Sequence, residues 1–388
     1  MSEIDLLDGT WYAGDPSADY AWLRDHPGLW FDEANELWAV ARHHDVLEVS
    51  RNPKLFCSGE GFRPKTPPNG SMISQDDPRH TRQRRLVSKG FTPKQVAGME
   101  SHARKIVDEL IDAVSEEGSC DFVTDLAVPL PMIVIAELLG VRVEDRDRLQ
   151  HWSDELIKGA DGHTTDDVIA QFVDFCEYIT EVIEARRADP RDDLTSILVH
   201  ATIDGEVGFD LDGLINELLL IMIGGNETTR NVISGAMEAL ADNPEQRAAL
   251  LADPSKLPTA AEEFLRWVTP IVTFQRTVVD DTEFAGTSLA AGDKLLLLYG
   301  AANRDEAVFG PTAPVFDIRR DPNPHMAFGF GTHFCLGASL ARLEIKVMFE
   351  ELLRRLPDIE ITGPVRRTPS AFIRGIAEMP VSFTPERK

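Results

Sequence analysis

The chain has 388 residues, of which 43% are hydrophobic and 27% are charged, so it is long enough to bury a large core. Its net charge of -26 argues against nucleic-acid binding, which depends on lysine and arginine to neutralise phosphates. Its four cysteines lie far apart and form no C-x-x-C pair, so neither a zinc or iron–sulfur site nor a disulfide framework is indicated.

The organisation of the chain is that of one unit. No Gly/Ser/Pro-rich linker or change of composition divides it, and we expect a single domain over residues 1–388, in which residues 1–15 can form a flexible segment. The N-terminus is acidic and lacks the basic and apolar parts of a signal peptide. No run approaches the roughly 18 apolar residues that span a bilayer. We therefore expect a cytoplasmic protein without a stable membrane anchor.

The first predicted elements are short. Apolar runs on either side of a polar turn predict a β-hairpin over residues 28–41, and residues 44–51 have a helical pattern. Residues 58–78 are rich in Gly, Pro, Ser and Asp, which predicts a long loop. Loops of this length inside a compact domain are usually functional or disordered. The apolar members of this one are Phe62, Met72 and Ile73.

A basic island follows in this otherwise acidic chain, on a helix predicted to begin near Pro78. His80 and Arg84 are four residues apart and therefore share one face of that helix. Arg82 and Arg85 are interpreted as part of a solvated charged face.

The longest helical pattern runs from about Leu211 to Leu240 and is apolar on nearly every face, which predicts a central buried helix. It contains Gly-Gly-Asn-Glu-Thr-Thr at residues 224–229. Two glycines weaken a helix and threonine hydroxyls compete for its backbone carbonyls, so we expect a local bulge there. Glu227 and Thr228 place an acid beside an alcohol in apolar surroundings, which is costly unless both are hydrogen-bonded or used in chemistry.

Weaker patterns lie between this helix and the last cysteine. Glu263 and Arg266 are three residues apart on a predicted helix and can pair, although most such pairs are weak surface ion pairs. Residues 272–279 are a predicted strand in which Arg276 is a lone charge. The turn at residues 370–375 is predicted to line a pocket.

A glycine-rich cysteine loop lies near the C-terminus, where residues 328–337 read Phe-Gly-Phe-Gly-Thr-His-Phe-Cys-Leu-Gly. Its glycines permit positive φ angles and the close approach of a flat ligand. A helical pattern follows from Ala338 to Pro357, so Cys335 precedes a helix N-terminus, where the helix dipole is expected to favour a thiolate that can ligate iron. An isolated cysteine is more often a buried structural residue, but these surroundings favour the iron ligand.

Phe328, Gly331, Cys335 and Gly337 match the F-x-x-G-x-x-x-C-x-G signature of the cytochromes P-450, the haem-thiolate monooxygenases, which this chain resembles from about residue 15 onward. Residues 224–229 match the family's [AG]-G-x-[DE]-T-T motif. The resemblance implies a mainly α fold with small β-sheets, of the soluble bacterial type. It also implies haem b between the central helix and the helix after the cysteine loop, with Cys335 as the axial thiolate.

The resemblance further implies roles for residues elsewhere in the chain. The residues that would hold the haem propionates are His80, Arg84, Arg276 and His333, although a plain surface role for Arg276 and His333 stays open. The pair implied to relay protons to bound oxygen is Glu227 and Thr228. The group implied to brace the cysteine loop is Glu263, Arg266 and Arg320, with the adjacent Arg319 leaving the register of the third member open.

Several segments resemble the actinobacterial branch of the family that hydroxylates the terminal methyl group of the cholesterol or cholest-4-en-3-one side chain. They include residues 59–64, 222–230 and 325–334. Asn226 stands where that branch commonly has aspartate, and Gly224 where the family motif also allows alanine. The residues implied to contact the substrate are Phe62, Met72, Ile73, Gly224, Val272, Phe372 and Ile373.

The implied reaction uses O2 and electrons from a ferredoxin and an NAD(P)H-dependent ferredoxin reductase, with the basic island near Lys89 as a docking surface. Another hydrophobic substrate, such as a terpene, a fatty acid or a polyketide, stays open. A peroxygenase often lacks the acid–alcohol pair, so Glu227 and Thr228 argue against one. A non-catalytic haem protein would need neither that pair nor an electron donor.

Overall fold

The computed structural model describes residues 4–160, 165–203 and 206–386. Helices dominate and the sheets are small, which confirms the expected fold class. The α-helices are α1 Gly9–Ala13, α2 Ser17–Asp25, α3 His43–Arg51, α4 Arg79–Val87, α5 Pro93–Gly98, α6 Glu100–Val114, α7 Pro129–Leu139, α8 Arg146–Ala160, α9 Asp166–Ala188, α10 Leu194–Val199, α11 Leu211–Asp242, α12 Pro244–Ala252, α13 Leu257–Val268, α14 Tyr299–Ala302, α15 Glu306–Phe309 and α16 Ala338–Arg355.

The strands form one five-stranded sheet and several smaller ones. They are β1 Trp30–Asp32, β2 Leu37–Val40, β3 Phe56–Cys57, β4 Ser119–Asp121, β5 Thr202–Ile203, β6 Glu206–Val207, β7 Thr273–Val278, β8 Thr282–Phe284, β9 Thr287–Leu289, β10 Lys294–Leu298, β11 Glu360–Ile361, β12 Arg366–Thr368, β13 Gly375–Glu378 and β14 Pro380–Ser382. The large sheet has the order β1-β2-β10-β7-β3. Its antiparallel β1–β2 pair confirms the predicted hairpin.

Helix α11 lies at the centre of the helical part, packed against α7, α8, α13 and α16. The predicted bulge at its two glycines is wrong, because the helix is continuous from Leu211 to Asp242. The glycines have another use. A Cβ on Gly225 would lie 2.3 Å from Cδ1 of Ile135 in α7, whereas a Cβ on Gly224 would meet nothing within 4 Å. Gly225 therefore permits close packing of two helices, and Gly224 borders open space.

One apolar helical run, Phe122–Leu139, has the length and composition to cross a membrane, which contradicts the expectation that no such run exists. It comprises a π-helical turn, Phe122–Ala127, and α7. Because 72% of the run is buried inside the fold and α7 packs on α11, its apolar composition is accounted for by the protein core.

The described part of the N-terminal segment packs on the large sheet. Leu6 and Tyr12 are buried, and the Tyr12 hydroxyl donates to the Leu6 carbonyl at 3.0 Å. The Leu6 N–H donates to the buried Asp32 carboxylate at 3.0 Å. Residues 4–13 are thus held by core contacts, although we expected flexibility over residues 1–15.

Candidate active site

A cavity lies between α11 and the cysteine loop, beneath the loop of residues 58–78, which we call the roof loop. The volume of the cavity is about 280 Å³. Its lining brings together residues that are far apart in sequence, and those among the expected substrate contacts are Phe62, Met72, Ile73, Gly224, Phe372 and Ile373. Thr228 and Cys335 also border it, so the candidate substrate contacts, the alcohol and the thiol share one space.

Cys335 is held in place by the backbone of its own loop. Its N–H donates to the Phe328 carbonyl at 2.9 Å. Gly329 and Gly331 have φ angles of 65° and 71°, which residues with a side chain rarely adopt. At Gly331 a Cβ would also lie 2.5 Å from the Ser50 carbonyl oxygen in α3. Two of the loop's glycines are therefore required by its shape.

The pKa of the Cys335 thiol is raised above its ordinary value by burial, while the Gly337 N–H and the charges of Arg84 and Arg342 act to lower it. The expectation that the helix N-terminus alone favours the thiolate is therefore wrong for the polypeptide, because desolvation outweighs the local donors. A cation at the sulfur, such as a bound iron, would favour the thiolate against this desolvation.

Two histidines and two arginines converge at one wall of the same cavity. The rings of His80 and His333 lie 4.2 Å apart between centroids. Burial, reinforced by the charges of Arg276, His80 and Arg84, lowers the pKa of His333 to about 2. The Arg84 guanidinium donates to the Phe334 carbonyl at 2.5 Å, and that of the buried Arg276 donates to the Gln275 carbonyl at 2.7 Å.

This cationic group fits an anionic ligand. Both ring nitrogens of His80 and Nε2 of His333 are buried without a hydrogen-bond partner within the described residues. Over the same residues, Arg84 and Arg276 form no ion pair with a carboxylate, and Asp77 Oδ1 lies 3.9 Å from His80 Nδ1, beyond hydrogen-bond distance. Buried polar groups are nearly always paired, so these nitrogens and the two guanidinium groups are available to a ligand; each neutral imidazole can donate from one of its nitrogens. Two propionates beside Cys335 would supply the acceptors.

Glu227 and Thr228 face different ways on α11. The Thr228 hydroxyl borders the cavity and donates to the Gly224 carbonyl at 2.6 Å. Glu227 is buried but does not line the cavity. Its carboxylate accepts from the Ser153 hydroxyl at 2.8 Å and from Arg230 at 2.7 Å, and burial raises its pKa. The acid is thus directed toward α8.

Asn226 shares the network of Glu227. It is fully buried, and its amide lies 3.3 Å from the Ser153 hydroxyl and 3.2 Å from Oε1 of Gln150. A neutral amide at this position adds donors beside Glu227 without adding a second buried negative charge.

Glu263 and Arg266 form a buried pair that bonds to residues 303–323, the segment before the cysteine loop. Arg266 donates to both carboxylate oxygens of Glu263, at 2.7 and 2.8 Å, and both side chains are fully buried. Arg320 Nε is 3.2 Å from Glu263 Oε2, whereas Arg319 pairs with Asp317 at the surface. The arginine that reaches Glu263 is therefore Arg320, which resolves the register left open by the sequence.

Other lining residues were missed by sequence reasoning. Val272 does not line the cavity, contrary to expectation, whereas the neighbouring Ile271 and Phe274 do. Phe274 and Arg276 are two residues apart on β7 and both border the cavity, so the alternation of a strand is the signal that could have placed Phe274. Arg63 and Glu344 also border the cavity. Arg63 lies in the quoted segment of residues 59–64 but was given no role there, and Glu344 belongs to no quoted motif.

Known proteins resemble this chain over nearly its whole length. The Cytochrome P-450 family model matches residues 58–254 and 256–361. The steroid C26-monooxygenase of Mycobacterium tuberculosis is 46% identical over 393 residues, covering 99% of this chain and 98% of that protein. The methyl-branched lipid omega-hydroxylase of the same species is 40% identical over 368 residues, covering 91% and 86%.

A solved structure agrees with these relatives. CYP109E1 from Bacillus megaterium, determined in complex with testosterone, superposes with a TM-score of 0.86 at 33% identity, covering 95% of this chain and 99% of that one. Enzymes of this family hold haem through a cysteine thiolate, which favours O–O cleavage. The cavity, its cysteine and its cationic wall suit that cofactor. The chain belongs to the cytochrome P-450 family and is a haem-thiolate monooxygenase.

Proposed function

We propose that this protein hydroxylates the terminal methyl group of a steroid side chain, with cholest-4-en-3-one or cholesterol as substrate. The observation that carries the proposal is the 46% identity, over 99% of the chain, to a steroid C26-monooxygenase. The cavity supports it, since its expected substrate contacts include the apolar side chains Phe62, Met72, Ile73, Phe372 and Ile373. Such a lining suits a large apolar molecule.

The haem supplies oxygen activation and the oxidation of an unactivated C–H bond. We assign the iron to the sulfur of Cys335 and the propionates to His80, Arg84, Arg276 and His333. These residues bind and orient the cofactor, and the apolar lining excludes water from the reacting methyl group.

Thr228 and Glu227 are assigned to proton delivery. The Thr228 hydroxyl donates to Gly224, so its oxygen lone pairs remain available to a donor in the cavity. The Glu227 carboxylate accepts hydrogen bonds from Ser153 and Arg230. To pass a proton to the cavity, the Glu227 side chain must break these bonds and change its orientation. Burial raises its pKa, which helps it to carry a proton near neutral pH.

We assign electron supply to a ferredoxin with an NAD(P)H-dependent ferredoxin reductase, in the cytoplasm. Arg79, Arg82 and Arg85 are exposed on α4, the helix that also carries His80 and Arg84. Because Arg84 bonds to the Phe334 carbonyl, this basic surface lies beside the cysteine loop. A local positive patch on a chain of net charge -26 favours docking of an acidic partner there.

A second candidate is omega-hydroxylation of a methyl-branched lipid. It is favoured by the 40% identity to the hydroxylase of that name. Both reactions place a methyl terminus at the cysteine end of the cavity, so they differ in the rest of the substrate.

The proposal is tested by adding each substrate to the haem-loaded ferric protein. We expect cholest-4-en-3-one to shift the spectrum toward high spin, and reconstitution with ferredoxin, reductase and NAD(P)H to yield a product hydroxylated at the chain terminus. No spectral shift at saturating sterol, together with turnover of a branched fatty acid, would favour the second candidate.

The role of Thr228 is tested with a matched pair of variants. Thr228→Ala should uncouple oxygen consumption from product formation, because the hydroxyl in the cavity is lost. Thr228→Ser keeps the hydroxyl and should remain coupled. Equal coupling in both variants would remove Thr228 from the mechanism.

A further inference from the structure

Glu217 is a fully buried carboxyl on α11 that belongs neither to the proposed haem site nor to the proton relay. Its Oε2 accepts from the Met72 N–H of the roof loop at 2.9 Å, and its Oε1 has no partner within the described residues. Burial raises its pKa to about 7, an effect that the Met72 N–H opposes. Burying a carboxyl with so few hydrogen bonds is costly, which indicates that its contact with the roof loop has a use.

The segment of the roof loop that this carboxyl contacts lies directly on α11. A Cβ on Gly70 would be 3.6 Å from the Gly213 Cα, so the two backbones approach closely, and Gln83 of α4 donates to the Gly70 carbonyl at 3.1 Å. Met72 and Ile73 lie in a single 3-10 turn, and both line the cavity. Because their side chains pack in two different apolar clusters, the orientation of this turn sets the positions of both.

Another part of the roof loop is held in a different way. The Phe62 carbonyl accepts from the Gln275 N–H of β7 at 2.8 Å, so this substrate contact is fixed by a bond between two backbones. The bond of the Met72 N–H, in contrast, depends on the side chain of Glu217. Removing that carboxyl should therefore loosen the turn and leave Phe62 in place.

We infer that Glu217 is a positioning residue for the substrate: it holds the turn of Met72 and Ile73 against α11 and thereby fixes two apolar contacts of the substrate. This inference rests on the proposed function, in which these side chains touch a large apolar molecule. Glu217 does not line the cavity, so it acts through the turn rather than by touching the substrate. We therefore expect it to determine how tightly the substrate binds more than how fast the bound substrate reacts.

The test removes the acceptor oxygen and then restores it. Glu217→Met has a similar length and leaves no buried charge, whereas Glu217→Gln keeps an oxygen that can accept from the Met72 N–H. Dissociation constants for cholest-4-en-3-one and 15-methylhexadecanoic acid are measured from the ferric haem spectrum, and KM and kcat from reconstituted turnover.

Glu217→Met should raise the dissociation constant and KM by about tenfold and change kcat by less than about twofold. The reason is that the substrate must then order the turn, which the hydrogen bond orders in the wild type. Glu217→Gln should stay within about threefold of the wild type in both constants. Amide hydrogen exchange over residues 70–75 should be faster in Glu217→Met and unchanged at Phe62.

Asp212→Asn is the matched control, because Asp212 is an exposed carboxylate in the first turn of the same helix and does not line the cavity. Its constants should equal those of the wild type. Imidazole binds haem iron without needing contacts from the roof turn, so its dissociation constant should be the same in every variant.

Each outcome decides the inference. Weaker substrate binding in Glu217→Met, with recovery in Glu217→Gln and unchanged imidazole binding, supports it. Equal substrate constants in Glu217→Met and the wild type would overturn it while leaving the sterol proposal intact, and so would a Glu217→Gln protein that binds as weakly as Glu217→Met.

Two further outcomes would assign Glu217 to the fold as a whole and overturn the inference. One is a Glu217→Met protein that no longer folds, and the other is a loss of imidazole binding as large as the loss of substrate binding. If the wild type binds neither the sterol nor the acid, the proposed function fails and this inference fails with it.

Discussion

Two groups of charged side chains differ in how their hydrogen bonds are satisfied: one bonds to residues 303–323, and the other borders the cavity beside the cysteine loop. Glu263 and Arg266 are fully buried, and the carboxylate also accepts from the Asp317 N–H and from Asn323. In the group of His80, His333, Arg84 and Arg276, His80 and Arg276 are buried and the other two are half-buried, yet three ring nitrogens lack a partner within the described residues.

The difference indicates what each group is for. Burying a charge is costly unless it is paired and hydrogen-bonded. Glu263 and Arg266 meet that condition within the chain, so their interactions stabilise the fold without any ligand. The cationic group does not meet it, so its favourable interactions form when an anion binds. Buried charges that are paired within the chain hold the fold together, whereas buried polar groups left without a partner indicate a site for a ligand.

The largest effect is expected from breaking the satisfied group. Glu263→Ala leaves Arg266 buried without its carboxylate, which should lower the free energy of unfolding by about 3–5 kcal/mol. Urea unfolding followed by circular dichroism measures this change. Glu245→Ala, at an exposed position on α12, is the control and should stay within about 0.5 kcal/mol of the wild type. If Glu263→Ala were as stable as that control, the Glu263–Arg266 pair would not stabilise the fold.

Glu344 of α16 adds a third kind of buried ionisable group, a carboxyl that keeps its proton. It lines the cavity, is 1% exposed, and has one oxygen without a partner within the described residues. Burial raises its pKa to about 8, an effect only partly offset by the Thr229 hydroxyl. The folded state then retains a proton that the unfolded state releases above its ordinary pKa of 4.5.

The pH dependence that Glu344 imposes has a defined sign. Its stabilising contribution is complete below about pH 4.5 and is lost as the pH rises toward 8, by about 1.4 kcal/mol per pH unit. Glu344→Gln cannot ionise, so from pH 6 to 8 its free energy of unfolding should gain about 2 kcal/mol relative to the wild type. Urea titrations at both values measure the change. Parallel pH profiles for the two proteins would show that Glu344 is already ionised at pH 6.

Replacing a member of the unsatisfied group should act on the cofactor and leave the apoprotein stable. Arg276→Met removes a buried cation that has no carboxylate partner within the described residues, so the apoprotein should unfold at an equal or higher urea concentration. The haem affinity should fall by about 10- to 100-fold, since one charge-assisted contact to a propionate is lost.

Haem transfer to an acceptor protein measures that affinity. Lys294→Met is a control on the neighbouring strand β10, because Lys294 bonds to Thr277 of β7 and does not line the cavity. An apoprotein destabilised by Arg276→Met as strongly as by Glu263→Ala would make the cationic group a brace as well.

The sequence predicted best those features that depend on local spacing. The hairpin, the long helix and the position of Cys335 before a helix follow from periodicity and from turn residues. The wrong predictions concern long-range packing. The two glycines at 224 and 225 predict a local bulge, but the missing side chain of Gly225 permits a contact with Ile135 on another helix, which no local pattern reveals.

The same limit applies to the direction in which side chains point. Glu227 and Thr228 are adjacent in the motif, yet Thr228 borders the cavity while the Glu227 carboxylate bonds to Ser153 and Arg230. Val272 precedes strand β7 and does not line the cavity, although its neighbours Ile271 and Phe274 do. The pKa of Cys335 depends on burial by the whole fold, which the helix N-terminus alone does not determine.

The smallest effect on stability is expected at two adjacent arginines, Arg319 and Arg320, of which one contacts the buried Glu263 and the other lies at the surface. Arg320 contacts Glu263 and donates to the Thr312 and Val315 carbonyls at 2.8 and 3.0 Å. Its neighbour Arg319 pairs with Asp317 at the surface. Arg320→Gln should cost only about 1 kcal/mol, because Glu263 keeps Arg266 as its main partner, and Arg319→Gln should cost less than about 0.5 kcal/mol. Urea unfolding of both variants ranks them. If Arg319→Gln lowered the free energy of unfolding more than Arg320→Gln did, the partner of Glu263 would be Arg319 and the contacts described for Arg320 would be wrong.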